Sequence, residues 1–113
     1  MTKNYLLIYS EQLATDIELL CQNIKASSNT LFQIRKSSSS IYANIREANY
    51  GQSKGDMVSK FEIALKECNE SEYWLELLYE VNSLCEQDFK YLGKNCIELR
   101  RMLVSTVTTL KNK

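Results

Sequence analysis

Glu67 and Glu70 stand three residues apart, a spacing that sets two carboxylates side by side on one face of a helix. Carboxylate pairs of this kind hold metal ions or share a proton in acid–base catalysis. In helical bundles a dimetal centre also draws on Glu-x-x-His pairs, and this chain of 113 residues has no histidine. The same lack removes the usual general base and the side chain that titrates near neutral pH. Serine and tyrosine hydroxyls are plentiful, but no base is evident that would activate one as a nucleophile. Cys21, Cys68, Cys85 and Cys96 are widely separated and form no C-x-x-C pair, unlike the ligand pairs of a structural zinc site. Free cysteine packs as a small hydrophobe, so all four are expected in the core as reduced thiols. The residues therefore predict no catalytic site, no metal site and no cofactor, and the protein is expected not to be an enzyme.

Charge offers a different chemistry. Fourteen Lys and Arg balance fourteen Asp and Glu, so no whole-molecule field draws the chain to nucleic acid or to an anionic membrane. The distribution is uneven: residues 53–85 hold Lys54, Lys60 and Lys66 against seven carboxylates, a net of −4, which leaves +4 for the remainder. On helices, Lys90, Lys94 and Arg101 project together, and Arg35 and Arg46 share one side. These five are the candidate nucleic-acid contacts, with Tyr42, Tyr50 and Tyr91 placed to stack on bases and affinity expected to fall as salt rises. An acidic helix opposite basic ones equally suits subunit pairing, and a charged helix face also serves simply as solvated surface.

The elements that must position these groups are legible from spacing. With 44% hydrophobic residues, a chain of this length buries a core without disulfides, and it is expected to form a single domain over residues 1–113. No apolar run is long enough for a membrane span, and the start of the chain does not read as a secretory leader; a cytoplasmic protein with no membrane partner is expected. Proline is absent and glycine occurs only at positions 51, 55 and 93, which favours long helices. Leu6, Leu13, Ile17, Leu20 and Ile24 stack on one face of a helix over about 4–26. Thr30 and Gln33 fit a capping box that starts a second helix over 31–49, with the stripe Ile34, Ser38, Ile41, Ile45, Ala48 and a left-handed Gly51 to close it. The serines at 37–40 read as small residues that let a neighbouring helix approach.

Ser53 and Asp56 form a second capping box before the longest helix, 53–84, whose stripe runs Met57, Phe61, Ala64, Cys68, Ser71, Leu75, Leu78, Asn82, Cys85. A fourth helix, 87–111, carries Phe89, Leu92, Cys96, Leu99, Leu103, Val107 and Leu110. Connections this short make neighbours antiparallel, so the sequence predicts an all-α, up-down-up-down four-helix bundle. Helix three has a second apolar set, with Val58 and Leu65 on one side of the stripe and Ile63, Trp74 and Val81 on the other. So wide an arc exceeds what one core requires, which makes Val58, Leu65 and Trp74 the candidate assembly surface. Asn44 falls beside the stripe of helix two, Glu67 and Glu70 at the edge of the arc on helix three, and Arg100 within the stripe of helix four. One expectation is a buried network in which Arg100 or Arg46 pairs with Glu67 or Glu70 and Asn44 completes it, where a lost partner costs about 3–5 kcal/mol. The alternative is that these long side chains reach water.

The segment Ser40-Ile41-Tyr42-Ala43-Asn44-Ile45-Arg46-Glu47-Ala48, the turn Gly51-Gln52-Ser53-Lys54 and the run Ile63-Ala64-Leu65-Lys66-Glu67-Cys68-Asn69-Glu70-Ser71-Glu72-Tyr73-Trp74-Leu75 together carry a resemblance. They resemble the bacterial four-helix-bundle proteins encoded in intervening sequences of 23S ribosomal RNA genes, whose pattern is S-I-x-A-N-I-x-E-(A/G), a Ser-Lys turn, then I-A-L-x-E-x-x-E-x-x-x-W-L. The likeness is strong over helices two and three. Arg100-Arg101-Met102-Leu103-Val104-Ser105 looks like the family's fourth helix, and helix one agrees only in its period. Tyr42 stands where many members carry proline and Ala48 where many carry glycine, and both are compatible with helix. The resemblance implies a homopentamer, since family members and the related accessory variability determinant proteins of retroelements form five-fold rings. Their setting also implies association with RNA or DNA, although fold analogy alone does not establish a task.

Overall fold

The computed structural model describes residues 4–112, which form four helices: α1 Tyr5–Asn23, α2 Ser28–Asn49, α3 Lys54–Glu80 and α4 Glu86–Lys111. The apolar stripes decide the arrangement. Leu13 and Ile17 of α1, Ile34, Ile41 and Ile45 of α2, Leu75 and Leu78 of α3, and Leu99 and Leu103 of α4 are at most 1% exposed and belong to one core. Each such side chain contributes about 1.5–3 kcal/mol by leaving water. Leu6, Leu20, Ile24, Met57, Phe89 and Leu110, at the ends of the stripes, are half-buried against that core.

Cross-helix pairs fix the directions. Arg35 of α2 meets Glu18 of α1, and seven residues further along α2 Tyr42 donates to Glu11, seven residues back along α1. Between α2 and α3, Ser37 meets Ser71 and Glu47 meets Lys60; between α3 and α4, Glu72 meets Arg100 and Glu62 meets Lys111. Numbers rise on one helix as they fall on the next, so successive helices are antiparallel. The expected up-down-up-down bundle follows, with α1 closing on α4 where Tyr91 donates to Asp16 at 3.2 Å. The seams are unequal: α2–α3 is the most extensive and α1–α4 the least. Buried Ser37 and Ser38 lie on the inner face of α2, and the hydroxyls of Ser37 and Ser71 lie 2.9 Å apart across the α2–α3 seam. Of the four serines expected to admit a neighbour, Ser37 and Ser38 thus do so, whereas Ser39 is exposed.

Helix ends follow the available caps. Asn4 caps α1 by accepting from the Leu7 amide, and Ser53 caps α3 by accepting from the Asp56 amide. The Asp56 carboxylate reaches back to the Gln52 amide at 3.4 Å, completing a box displaced by one residue from the expected form. Helix α2 starts three residues before the predicted 31, because Ser27 rather than Thr30 is the cap: its hydroxyl accepts from the Thr30 amide and donates to the Thr30 hydroxyl. Helix α1 ends at Asn23, short of 26. Gly51 is not left-handed. A tightened turn closes α2 instead, and the glycine is needed for space, since a Cβ there would stand 3.2 Å from the Ala48 carbonyl and the Met57 amide nitrogen.

Helix α3 stops at Glu80, four residues before the predicted end. Asn82 adopts φ 61°, and the Asn82 and Ser83 amides donate to the carbonyls of Tyr79 and Leu78. This is a Schellman close, which Asn supports because it tolerates the left-handed region. Asn82 and Cys85 therefore leave the stripe assigned to them. Cys85 is exposed, not buried, and its sulfur caps α4 by accepting from the Asp88 amide at 3.5 Å. The other three thiols are buried as expected, and burial pushes their pKa values up, that of Cys96 to about 12.

Candidate interaction surfaces

Each predicted polar and charged residue has a definite place, and few of them meet one another. Arg100 pairs in bidentate fashion with Glu72, at 2.9 and 3.3 Å, rather than with Glu67 or Glu70. The pair is half-buried, with the glutamate the more covered member at 20% side-chain exposure. Asn44 donates to the Ser40 carbonyl of its own helix at 2.8 Å. The four-membered network is thus not assembled. Register explains why: Glu72 lies on the α4 side of α3, whereas Glu67 lies toward Lys36 of α2. Partial burial raises the pKa of Glu67 above its ordinary value, with Glu70 adding its charge and a hydrogen bond and Lys36 and Lys66 opposing. Among the described residues no group of three Cys, Asp or Glu is placed to hold a metal ion, and no described helix is long and apolar enough to cross a membrane.

The basic stripes are partly engaged within the chain. Arg35 is tied to Glu18 at 2.8 Å, Lys90 to Glu86 at 2.9 Å, and the Arg46 guanidinium lies 5.6 Å over the Tyr42 ring. Lys94 and Arg101 project from the outer face of α4 and form no ion pair with the described residues. By helix, charge alternates around the bundle. Helix α1 carries three carboxylates and no cation, α2 three cations and one carboxylate, α3 three cations and seven carboxylates, and α4 five cations and three carboxylates. Negative and positive corners therefore succeed one another.

The candidate assembly surface needs correction. Val58 is only 9% exposed and belongs to the core, while Leu65 and Trp74 are half-buried against it. Val58, Leu65, Glu72 and Tyr79 recur every seven residues on the side of α3 that α4 covers, as the Arg100–Glu72 pair and the stacked rings of Tyr79 and Phe89, 4.3 Å apart, show. The arc looked too wide because a helical wheel does not register how far the next helix reaches round. Apolar surface is nonetheless left outside, at other residues: Ile8 and Leu19 of α1, Phe32 of α2, Tyr73 of α3 and Val104 of α4 are each close to half exposed. A groove of about 390 Å³ also runs along the outside of α4, lined by Phe89, Gly93 and Ile97 with Lys90, Lys94, Glu98 and Arg101. A glycine inside a long helix was the available sign of it; Glu72 and Tyr73 carried no such sign.

Comparison with known proteins agrees with this architecture. Residues 6–105 match the family described as 23S rRNA-intervening sequence protein. The chain is similar to a crystal structure from Bacteroides thetaiotaomicron of a protein with unknown function from the S23 ribosomal protein family, at 35% identity and a TM-score of 0.87. That likeness covers 90% of this chain and 97% of the other. No curated protein matches. A match that enters all four helices, joined to a solved bundle of the same shape at this identity, means that the chain belongs to the 23S rRNA-intervening sequence protein family.

Proposed function

We infer that this protein is a non-enzymatic helical module whose activity is to bind copies of itself, acting as a scaffold or accessory factor in the cytoplasm. The observation that carries this reading is the apolar surface left on the outer faces of α1, α3 and α4 after the core is complete. Alternating charge between corners adds a means of pairing copies in one orientation. Five copies in a ring is the form that the family resemblance implies, and it is the assembly we assign. Light scattering at several concentrations tests it: the expected mass is five times the 13.1 kDa chain, and a monomer throughout overturns it.

A second reading adds RNA or DNA as a partner. It is favoured by the outer face of α2, where Phe32, Lys36, Arg46 and the C-cap Tyr50 lie within about 40° of one line along the helix and Tyr50 is 82% exposed. Two cations flanked by exposed rings can hold a phosphate backbone while bases stack on the rings. Together with Arg35, Lys90, Lys94 and Arg101, these residues would give binding that weakens with salt. Electrophoretic mobility of labelled RNA and DNA decides the matter: no shift at low salt removes this reading and leaves assembly alone.

A further inference from the structure

Gly93 lies well inside α4, where glycine weakens a helix and alanine strengthens it. A Cβ built on Gly93 meets nothing within 4 Å, so nothing within the chain calls for the missing side chain. The glycine instead deepens the groove on the outside of α4, leaving a hollow floored by Phe89 and Ile97 and rimmed by Lys90, Lys94 and Arg101. An apolar hollow with a cationic rim fits an acidic helix that carries an aromatic side chain. Helix α3 presents such a face. Tyr73 is 55% exposed, and Glu70, Glu76 and Glu80 fall within about 60° of it on the helix. None of these three carboxylates forms an ion pair with the described residues.

We propose that the hollow at Gly93 on α4 receives the Tyr73 face of α3 from a second copy of the chain. This rests on the self-association inferred above and names the surfaces that meet. Glu98 borders the groove and Glu86 already engages Lys90, so Lys94 and Arg101 are the cations that face the incoming carboxylates. A phosphate backbone would use the same cations but would gain nothing from an apolar floor and a glycine. The two surfaces differ, so the contact is head-to-tail. They also lie on neighbouring helices, whose outward directions in a four-helix bundle are about 90° apart. A head-to-tail ring of five needs faces about 108° apart, within the scatter of helix directions about that right angle, whereas faces on opposite sides would build a filament.

Charge reversal tests the pairing. Lys94→Glu with Arg101→Glu, and separately Glu76→Lys with Glu80→Lys, are each expected to weaken self-association at least tenfold while leaving the circular dichroism helical. The chain carrying all four substitutions is expected to regain the wild-type mass in light scattering, because the reversed faces again attract. Gly93→Trp, which fills the hollow from outside the core, is expected to lower the mass without loss of helix. Wild-type assembly that all these variants retain overturns the surface assignment and leaves self-association standing. A monomeric wild type overturns both. Failure of the fourfold chain to recover overturns the pairing. So does loss of labelled-RNA binding in Lys94→Glu/Arg101→Glu at unchanged mass, since the groove is then a nucleic-acid contact.

Discussion

The two serines that meet across the α2–α3 seam make a prediction whose sign pattern is unusual. Ser37 is 2% exposed and Ser71 fully buried, their hydroxyls 2.9 Å apart, and Ser37 also donates to the Ile34 carbonyl at 3.3 Å. The proton of Ser71 therefore goes to Ser37, and that of Ser37 to its own helix. Ser37→Ala strands the Ser71 hydroxyl in a dry seam, at a cost of about 1–3 kcal/mol. Ser71→Ala leaves Ser37 with its carbonyl and loses one neutral hydrogen bond, about 0.5–1.5 kcal/mol. Replacing both sets two methyl groups where two hydroxyls met, which is close to neutral, and alanine is the better helix former by roughly 0.5 kcal/mol per site. The double variant should thus be more stable than Ser37→Ala alone and at least as stable as wild type. Urea unfolding at one fixed protein concentration measures this, with midpoints compared at unchanged slope. Additive losses, with the double variant below both singles, would refute the coupling of the two hydroxyls, and a costlier Ser71→Ala than Ser37→Ala would refute the assigned direction of the bonds.

Other expectations follow from single side chains. Asn82 holds φ 61°, so Asn82→Gly should be neutral in thermal melts and Asn82→Ala should cost about 1 kcal/mol. A colourless disulfide reagent that releases a coloured thiolate should titrate one thiol per folded chain, Cys85, and four after unfolding, because Cys21, Cys68 and Cys96 are buried; a second fast thiol would contradict the burial of these three. Glu67 is harder to ionise in the fold than in the unfolded chain. Its stabilising contribution is therefore complete below the unfolded glutamate pKa and is lost as pH rises through the folded value. Glu67→Gln should accordingly raise the melting temperature at neutral pH, with the gain vanishing in acid. Glu72→Gln should lower stability by about 0.5–1 kcal/mol, a modest value because Arg100 is 40% exposed.

The helices themselves were legible in the sequence because apolar spacing is a long signal: one misplaced residue does not erase four turns. Their ends were less so. Ser27 and Thr30 are both competent caps, and only the geometry of the connection selects Ser27. The period of α3 runs on through Asn82 and Cys85, yet the backbone turns at Asn82, a residue able to take the left-handed conformation. The partner of Arg100 was out of reach for a different reason. Glu67, Glu70 and Glu72 lie within six positions, and choosing among them needs the register of α3 against α4, which no single helix encodes. Val58 reads as outer surface in the sequence because one helix viewed alone cannot show how much of it a neighbour hides. Gly93 was visible as a residue, but its significance depends on the empty space around it.

The inequality of the seams bears on how the bundle comes apart. Helix α1 is held on one side by α2 and on the other by the narrowest contact of the four, while the paired rods α2 and α3 share the broadest. Amide protons of α1 should therefore trade with solvent deuterium at a lower opening energy than those along the α2–α3 spine. Departure of α1 would lay bare Leu92 and Leu99, so the loosest edge of the molecule is also where misassembly between chains would begin.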